Sequence, residues 1–143
     1  QIKFIEKNKN IDVLGSNAIY IEDKVKYIQM PETNNQIKNK LLFQNTLVHS
    51  SIIMSKKLLL KYKYNEKFPR CQDYELWLRI KKHANYYNLQ EYLVLREIKK
   101  DNFNLNDVYF SSLARLKHIN FFLAVIFNLK DLMVYLKKKL IIK

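Results

Sequence analysis

Cysteine is all but missing from this chain: Cys71 stands alone in 143 residues. A lone thiol excludes an internal disulfide, and no Cys-x-x-Cys or Cys/His spacing offers a zinc site. A reducing, cytosolic setting is the expectation. Glycine occurs once and proline twice. No Gly- or Pro-rich linker, low-complexity stretch or internal repeat interrupts the chain. Long apolar runs are also lacking. The longest, Phe121–Phe127, falls far short of the roughly 20 residues of a membrane span. No secretory signal precedes the first element, and Gln1-Ile2-Lys3-Phe4 carries no initiator Met. The expectation is therefore a segment of something longer. Acid is scarce too: 13 Asp and Glu stand against 26 Lys and Arg, a net charge of +13. Such a balance invites nucleic acid, anionic lipid or a phosphorylated ligand, against a solvated lysine surface as the plain alternative.

What is present is a core. Hydrophobic residues make up 48% of the chain and aromatics 13%, enough for one modest folded domain rather than a disordered tail. The spacing predicts a helix end over residues 1–8 and a strand over Ile11–Glu22. Gly15 inside that strand marks a bulge or a close backbone approach. A second strand runs over Lys24–Met30 and stops at Pro31. Thr33 caps a helix that reaches residues 39–43. Leu47–Met54 is a β-rich run carrying His49, Ser50 and Ser51. Lys56–Lys61 is a short helix. Leu76, Trp77 and Ile80 fall at helical spacing in a helix that runs to about His83. Tyr86–Leu89 and Tyr92–Arg96 read as two short extended segments, and a helical region fills the rest from about Asn106. Strands alternating with helices argue α/β layering, followed by a mostly helical tail.

The tail has its own pattern. Phe122, Val125, Leu129, Met133, Leu136 and Leu140 recur three or four apart. Asn128, Lys130, Asp131, Lys138 and Lys139 occupy the opposite face. From Leu113 to Lys143 there are seven Lys or Arg and one acid. A basic amphipathic helix of this kind lies on an anionic bilayer surface, or it packs on its own domain or on a dimer partner.

The densest signal is Cys71-Gln72-Asp73-Tyr74-Glu75-Leu76-Trp77-Leu78-Arg79. Asp73 stands at the start of an amphipathic helix that carries the only tryptophan. A carboxylate there satisfies free backbone N–H groups and suits the helix dipole. It is also held rigidly, as a positioned general base must be. In order, the chain reads IDVLGS, then a helix ending LLFQN, then TLVHSSIIMSKKLL, then CQDYELWLRI, then NLQEYLVLRE. This order resembles the acceptor-side, C-terminal half of the family 2 inverting glycosyltransferases of the GT-A (nucleotide-diphospho-sugar transferase) fold. The resemblance covers about residues 1–98, and QDYELWLR is its specific part.

The resemblance implies a division into residues 1–100, the acceptor-side half, and residues 101–143, a basic helical extension. It implies Asp73 as the catalytic base, taking a proton from an acceptor hydroxyl as that oxygen attacks the anomeric carbon of a nucleotide sugar, with inversion. Gln72, Trp77, His49 and Ser50 become acceptor-site candidates. Gln72 stands where the family usually has Glu. Trp77 has packing as its plainer role, and His49 that of a satisfied polar residue on a strand. Arg96 becomes a donor-diphosphate candidate. Ile98 stands where a family histidine, when present, binds the metal. The family's Asp-x-Asp motif, which holds Mg²⁺ or Mn²⁺ against the donor diphosphate, occurs nowhere in these residues. The expectation places it upstream of Gln1, so that the chain alone is inactive. The implied substrates are a nucleotide-sugar donor and a glycan or lipid-linked acceptor of a bacterial cell surface. The implied place is cytoplasmic, peripheral on the inner membrane face, with a homo-oligomer left open. Two other classes compete: a non-catalytic scaffold that keeps this half-fold, and a basic nucleic-acid-binding module, for which no helix-turn-helix, zinc or RNP-type signature speaks.

Overall fold

The computed structural model describes residues 1–98 and 104–141. The expected boundary between residues 100 and 101 lies outside them. The chain is mixed α/β and divides into two compact units, one of Gln1–Lys63 with Ile80–Lys100 and one of Tyr64–Arg79 with Asp101–Lys143. Residues 64–79, expected within the first domain, thus group with the C-terminal helices.

The first unit is built on β1 (Val13–Ile21). β2 (Val25–Ile28) returns antiparallel beside its second half, pairing Ala18 with Ile28 and Ile21 with Val25. β3 (Ile53–Met54) pairs antiparallel with Val13 and Leu14 at its start. β4 (Tyr86–Glu97) runs parallel along its other side, from Val13 opposite Tyr86 to Ile21 opposite Glu97. Parallel neighbours need a long crossover, and the helices between β1 and β4 belong to it. The two extended segments expected over 86–96 are therefore one strand. The pairing slips between Ser16 and Ala18, and the break in the apolar pattern at Gln90 and Glu91 reflects that slip.

Short helices surround the strands. α1 (Ile2–Lys7) precedes β1. α2 (Asn34–Lys40) starts at Thr33, whose side chain accepts from Gln36 N while the Gln36 side chain accepts from Thr33 N. This reciprocal cap satisfies two otherwise orphaned donors. α3 (Lys56–Tyr62) is capped by Ser55. The β-rich run expected over 47–54 is mostly not strand. His49–Ser51 forms a single 3-10 turn, and only Ile53–Met54 pairs. The reason is local: the Ser51 hydroxyl donates to Val48 O at 2.8 Å, which curls the backbone, and accepts from Ser16 N at 3.0 Å.

Gly15 answers to close approach. A β-carbon there would stand 2.2 Å from Asn88 Oδ1, its neighbour across the parallel pair. Asn88 is fully buried, and its amide donates to Pro31 O at 2.7 Å and Thr46 O at 3.1 Å. The only glycine thus makes room for a buried asparagine that ties β4 to the segment after β2.

The second unit holds α4 (Gln72–Ile80), α5 (Leu105–His118) and α6 (Phe121–Ile141). The last residue of α4 falls in the first unit by contacts. α4 stops at Ile80, short of the expected His83. Asn104 caps α5, accepting from Asn106 N at 3.0 Å. Asn120 breaks the helical run expected from Asn106, so that it becomes two helices.

Candidate functional site

Asp73 is the second residue of α4 and not its cap. The capping position belongs to Cys71, whose carbonyl accepts from Glu75 N at 2.9 Å. Cys71 has φ 54°, in the left-handed region that non-glycine residues seldom occupy. That turn is held in place by partners. Arg70 Nη1 donates to Asp107 Oδ1 at 2.7 Å, and Cys71 Sγ donates to Asp107 O at 3.6 Å. On the far side of Asp73, Tyr74 is buried, and its hydroxyl accepts from Arg115 Nε at 3.2 Å. Glu75 is fully buried and accepts from Arg79 Nε at 3.0 Å and Arg79 Nη2 at 3.0 Å, with His118 Nε2 at 2.9 Å. The residues on both sides of Asp73 are therefore tied to α5, while Asp73 itself is half-exposed. A carboxylate with fixed neighbours and a partly open side chain has the preorganisation that proton abstraction requires.

The electrostatics follow from these ties. Burial pushes the Glu75 carboxyl up, but hydrogen bonds from Arg79 and His118, with their charges, hold it below the ordinary value. Burial also pushes the Cys71 thiol up, helped by the charges of Asp107 and Asp73 and opposed by Arg70 and Arg115, to about 11. The thiol is accordingly neutral near pH 7 and not a nucleophile. Burial, then the Asp73 charge, raises the Tyr64 phenol.

The other residues singled out fall in different places. Gln72 opens α4 and is exposed. Trp77, also on α4, is fully buried, the place its packing role would give it. His49 and Ser50 are exposed on the 3-10 turn of the sheet unit. Arg96 is exposed on β4, opposite Tyr20. The turn meets β1 at Ser16, through Ser51. Tyr20 lies four residue steps after Ser16, about 13 Å along β1. The sheet unit therefore keeps Arg96 apart from His49 and Ser50, and the helical unit holds Gln72, Asp73 and Trp77.

Sequence reasoning did not single out Glu75, Asp107, Arg115 or His118 as supports of Asp73. The Glu75–Arg79 spacing of four was a legible signal for one ion pair. The reach of His118 and Arg115 to α4 crosses about 40 residues and had no local mark. Nor did the sequence mark a polar cleft of about 360 Å³ in the sheet unit, lined by Gln29, Met30, Glu32, Gln36, Lys40 and Gln90 among others. Among the described residues, no three His, Cys, Asp or Glu come together to hold a metal. The described residues thus offer no such cluster for the divalent cation that the family resemblance implies.

Comparison with known proteins bears on these observations. Over 111 residues the chain is 33% identical to a protein of Methanocaldococcus jannaschii named an uncharacterized glycosyltransferase, MJ1057. The match covers 72% of this chain and 38% of that protein, so the chain spans well under half of its relative. The likeness supports a glycosyltransferase relationship. No protein-family model and no solved structure matches the chain.

Proposed function

We propose that these residues are the acceptor-side part of an inverting family 2 glycosyltransferase of the GT-A fold, with Asp73 as its general base. The observation that carries the reading is the α4 start: a half-exposed carboxylate between residues tied on both sides to α5. The sequence relationship to a protein named a glycosyltransferase supports the reaction class. In this reading Asp73 accepts the proton of an acceptor sugar hydroxyl as that oxygen forms the new bond to the anomeric carbon. The bond from that carbon to the nucleotide diphosphate breaks, and a single displacement inverts the centre. Gln72, beside Asp73 on α4, hydrogen-bonds the acceptor. His49, Ser50 and Arg96 are the candidates that the resemblance puts on the sheet unit, Arg96 for the donor diphosphate. In this reading the nucleotide-binding half and the ligands of Mg²⁺ or Mn²⁺ come from the remainder of a longer protein, in keeping with a match that covers 38% of its relative. The acceptor is a glycan or a lipid-linked sugar on the cytoplasmic face of a membrane.

The test is Asp73→Asn in the full-length protein. The amide keeps the shape and removes the base, so turnover should fall by a factor on the order of 10³ while donor binding stays near normal. Unchanged turnover would remove Asp73 from the mechanism.

A further inference from the structure

α6 turns its polar side inward. Arg115 of α5 is 2% exposed, and its guanidinium donates to Asn128 Oδ1 at 3.0 Å and Asp131 Oδ2 at 2.5 Å. Ala124, one turn before Asn128, is fully buried. Between them these residues fix which face of α6 meets α5. The apolar stripe is then left outside. Phe122, Val125, Ile126, Leu129, Met133 and Leu136 are 76%, 36%, 58%, 57%, 58% and 50% exposed. At 100° per residue they fall within an arc of about 100°, a continuous apolar band along the helix. Nothing in an ordinary soluble surface calls for such a band.

The charges around it select its occupant. Lys130 and Lys137 are exposed at one edge of the band and Lys139 at the other. The sole acid between Leu113 and Lys143 is Asp131, and it is committed to Arg115 inside the unit. The outward field of α6 is therefore positive. A second copy of the chain would bring the same lysines against themselves. An anionic surface with an apolar layer beneath it matches both features: phosphates for the ammonium groups, hydrocarbon for the band. α6 does not cross such a layer, since no helix among the described residues is long and apolar enough to do so.

We propose that α6 is a lipid-facing helix that lies in the headgroup layer of an anionic membrane. Its apolar band sinks to the acyl boundary, and Lys130, Lys137 and Lys139 extend along its sides to lipid phosphates. The Arg115–Asn128–Asp131 cluster sets the roll of the helix, so that the band faces outward before any membrane is met. This inference is carried by α5 and α6 and needs neither Asp73 nor a sugar donor.

The experiment is co-sedimentation of the full chain with vesicles of phosphatidylcholine, with and without phosphatidylglycerol. Binding should require the anionic lipid and weaken with salt. Phe122→Ser, Ile126→Ser and Met133→Ser together should weaken it by at least about a hundredfold, from the apolar surface they withdraw. Lys130→Gln with Lys137→Gln should weaken binding to anionic vesicles about fivefold per lysine. These positions are exposed, so circular dichroism and the unfolding midpoint should match the parent chain. If the serine variant does not fold, the lysine variant decides alone. Parental binding by the folded variants would overturn the proposal. So would a chain that ignores vesicles and forms a dimer that the serine substitutions break. The assay contains no nucleotide sugar, so its failure leaves the Asp73 reading standing, and the reverse also holds.

Discussion

The two units enclose different kinds of polar group within their apolar cores. In the sheet unit, β1 is buried from Val13 through Ala18, with Val13, Leu14 and Ala18 lost from solvent beside Ser16 and Asn17. Its buried polar side chains bond backbone: the Ser16 hydroxyl donates to Asn17 O at 3.0 Å, and Asn17 Oδ1 accepts from Met30 N at 2.8 Å. In the helical unit, charged groups lie inside: Glu75 and Arg115 are buried, while the broad apolar side of α6 is outside. A sheet strand offers a regular row of backbone donors and acceptors, so short polar side chains are enough to close its core. Three helices meet through side chains alone, and there the long reach of arginine supplies the ties. The buried polar residues of the first unit are uncharged: Ser16, Asn17, Thr46, Ser51 and Asn88. Those of the second, Glu75 and Arg115, are charged and paired.

This contrast can be broken at particular residues. The largest effect is expected for Gly15→Ala, which pushes a methyl group onto Asn88 inside the sheet. A loss of about 3 kcal/mol is expected in chemical denaturation. Combining it with Asn88→Gly should recover part of that loss, and no recovery would mean that the contact is not the cause.

Glu75→Ala strikes the helical unit. Arg79 is partly exposed and can rehydrate, so the cost is about 2–3 kcal/mol, at the low end for a broken buried pair. The pH dependence has a definite sign. Because the native Glu75 carboxyl sits below its ordinary value of 4.5, its contribution is complete above that pH. It disappears as pH falls through the lower native value. Acid unfolding of the parent chain should show this loss, and Glu75→Ala should flatten it.

Cys71 gives a kinetic readout. A thiol raised from 9.0 to about 11 has a thiolate fraction about a hundredfold smaller than a free cysteine at the same pH, and alkylation at pH 8 should be slower by about that factor. Fast labelling would mean that the turn before α4 opens readily. The smallest effect belongs to Thr33→Ala. Loss of the α2 cap should cost the sheet unit about 1 kcal/mol, read as a shift in the denaturation midpoint.

Much of the sheet unit was legible. The β1 pattern, the stop at Pro31, the Thr33 cap and the short helix after Ser55 all rest on neighbours a few residues apart. Gly15 was readable as a bulge or a close approach, but neither the choice nor the partner, 73 residues away, was legible. The turn at His49–Ser51 was missed because a β-branched, apolar run hides a serine that prefers to bond its own backbone. The α4 periodicity was plain, but the cap fell on Cys71, which composition does not favour. Of the functional candidates, the Asp73 segment was legible as a motif. What holds it was not, because Asp107, Arg115 and His118 act across long separations.

By itself the sequence determined the strand of β1, the capped starts of α2 and α3, that its one glycine marks a bulge or a close approach, and that an acid stands in the first turn of the tryptophan helix. These are properties of neighbouring residues and of periods of two and 3.6. Only the tertiary structure decided which side of α6 turns inward. The amphipathic pattern defines two faces equally well, and the choice went to the polar one. A buried guanidinium must find carboxylate and amide oxygens, and Asp131 and Asn128 supply them.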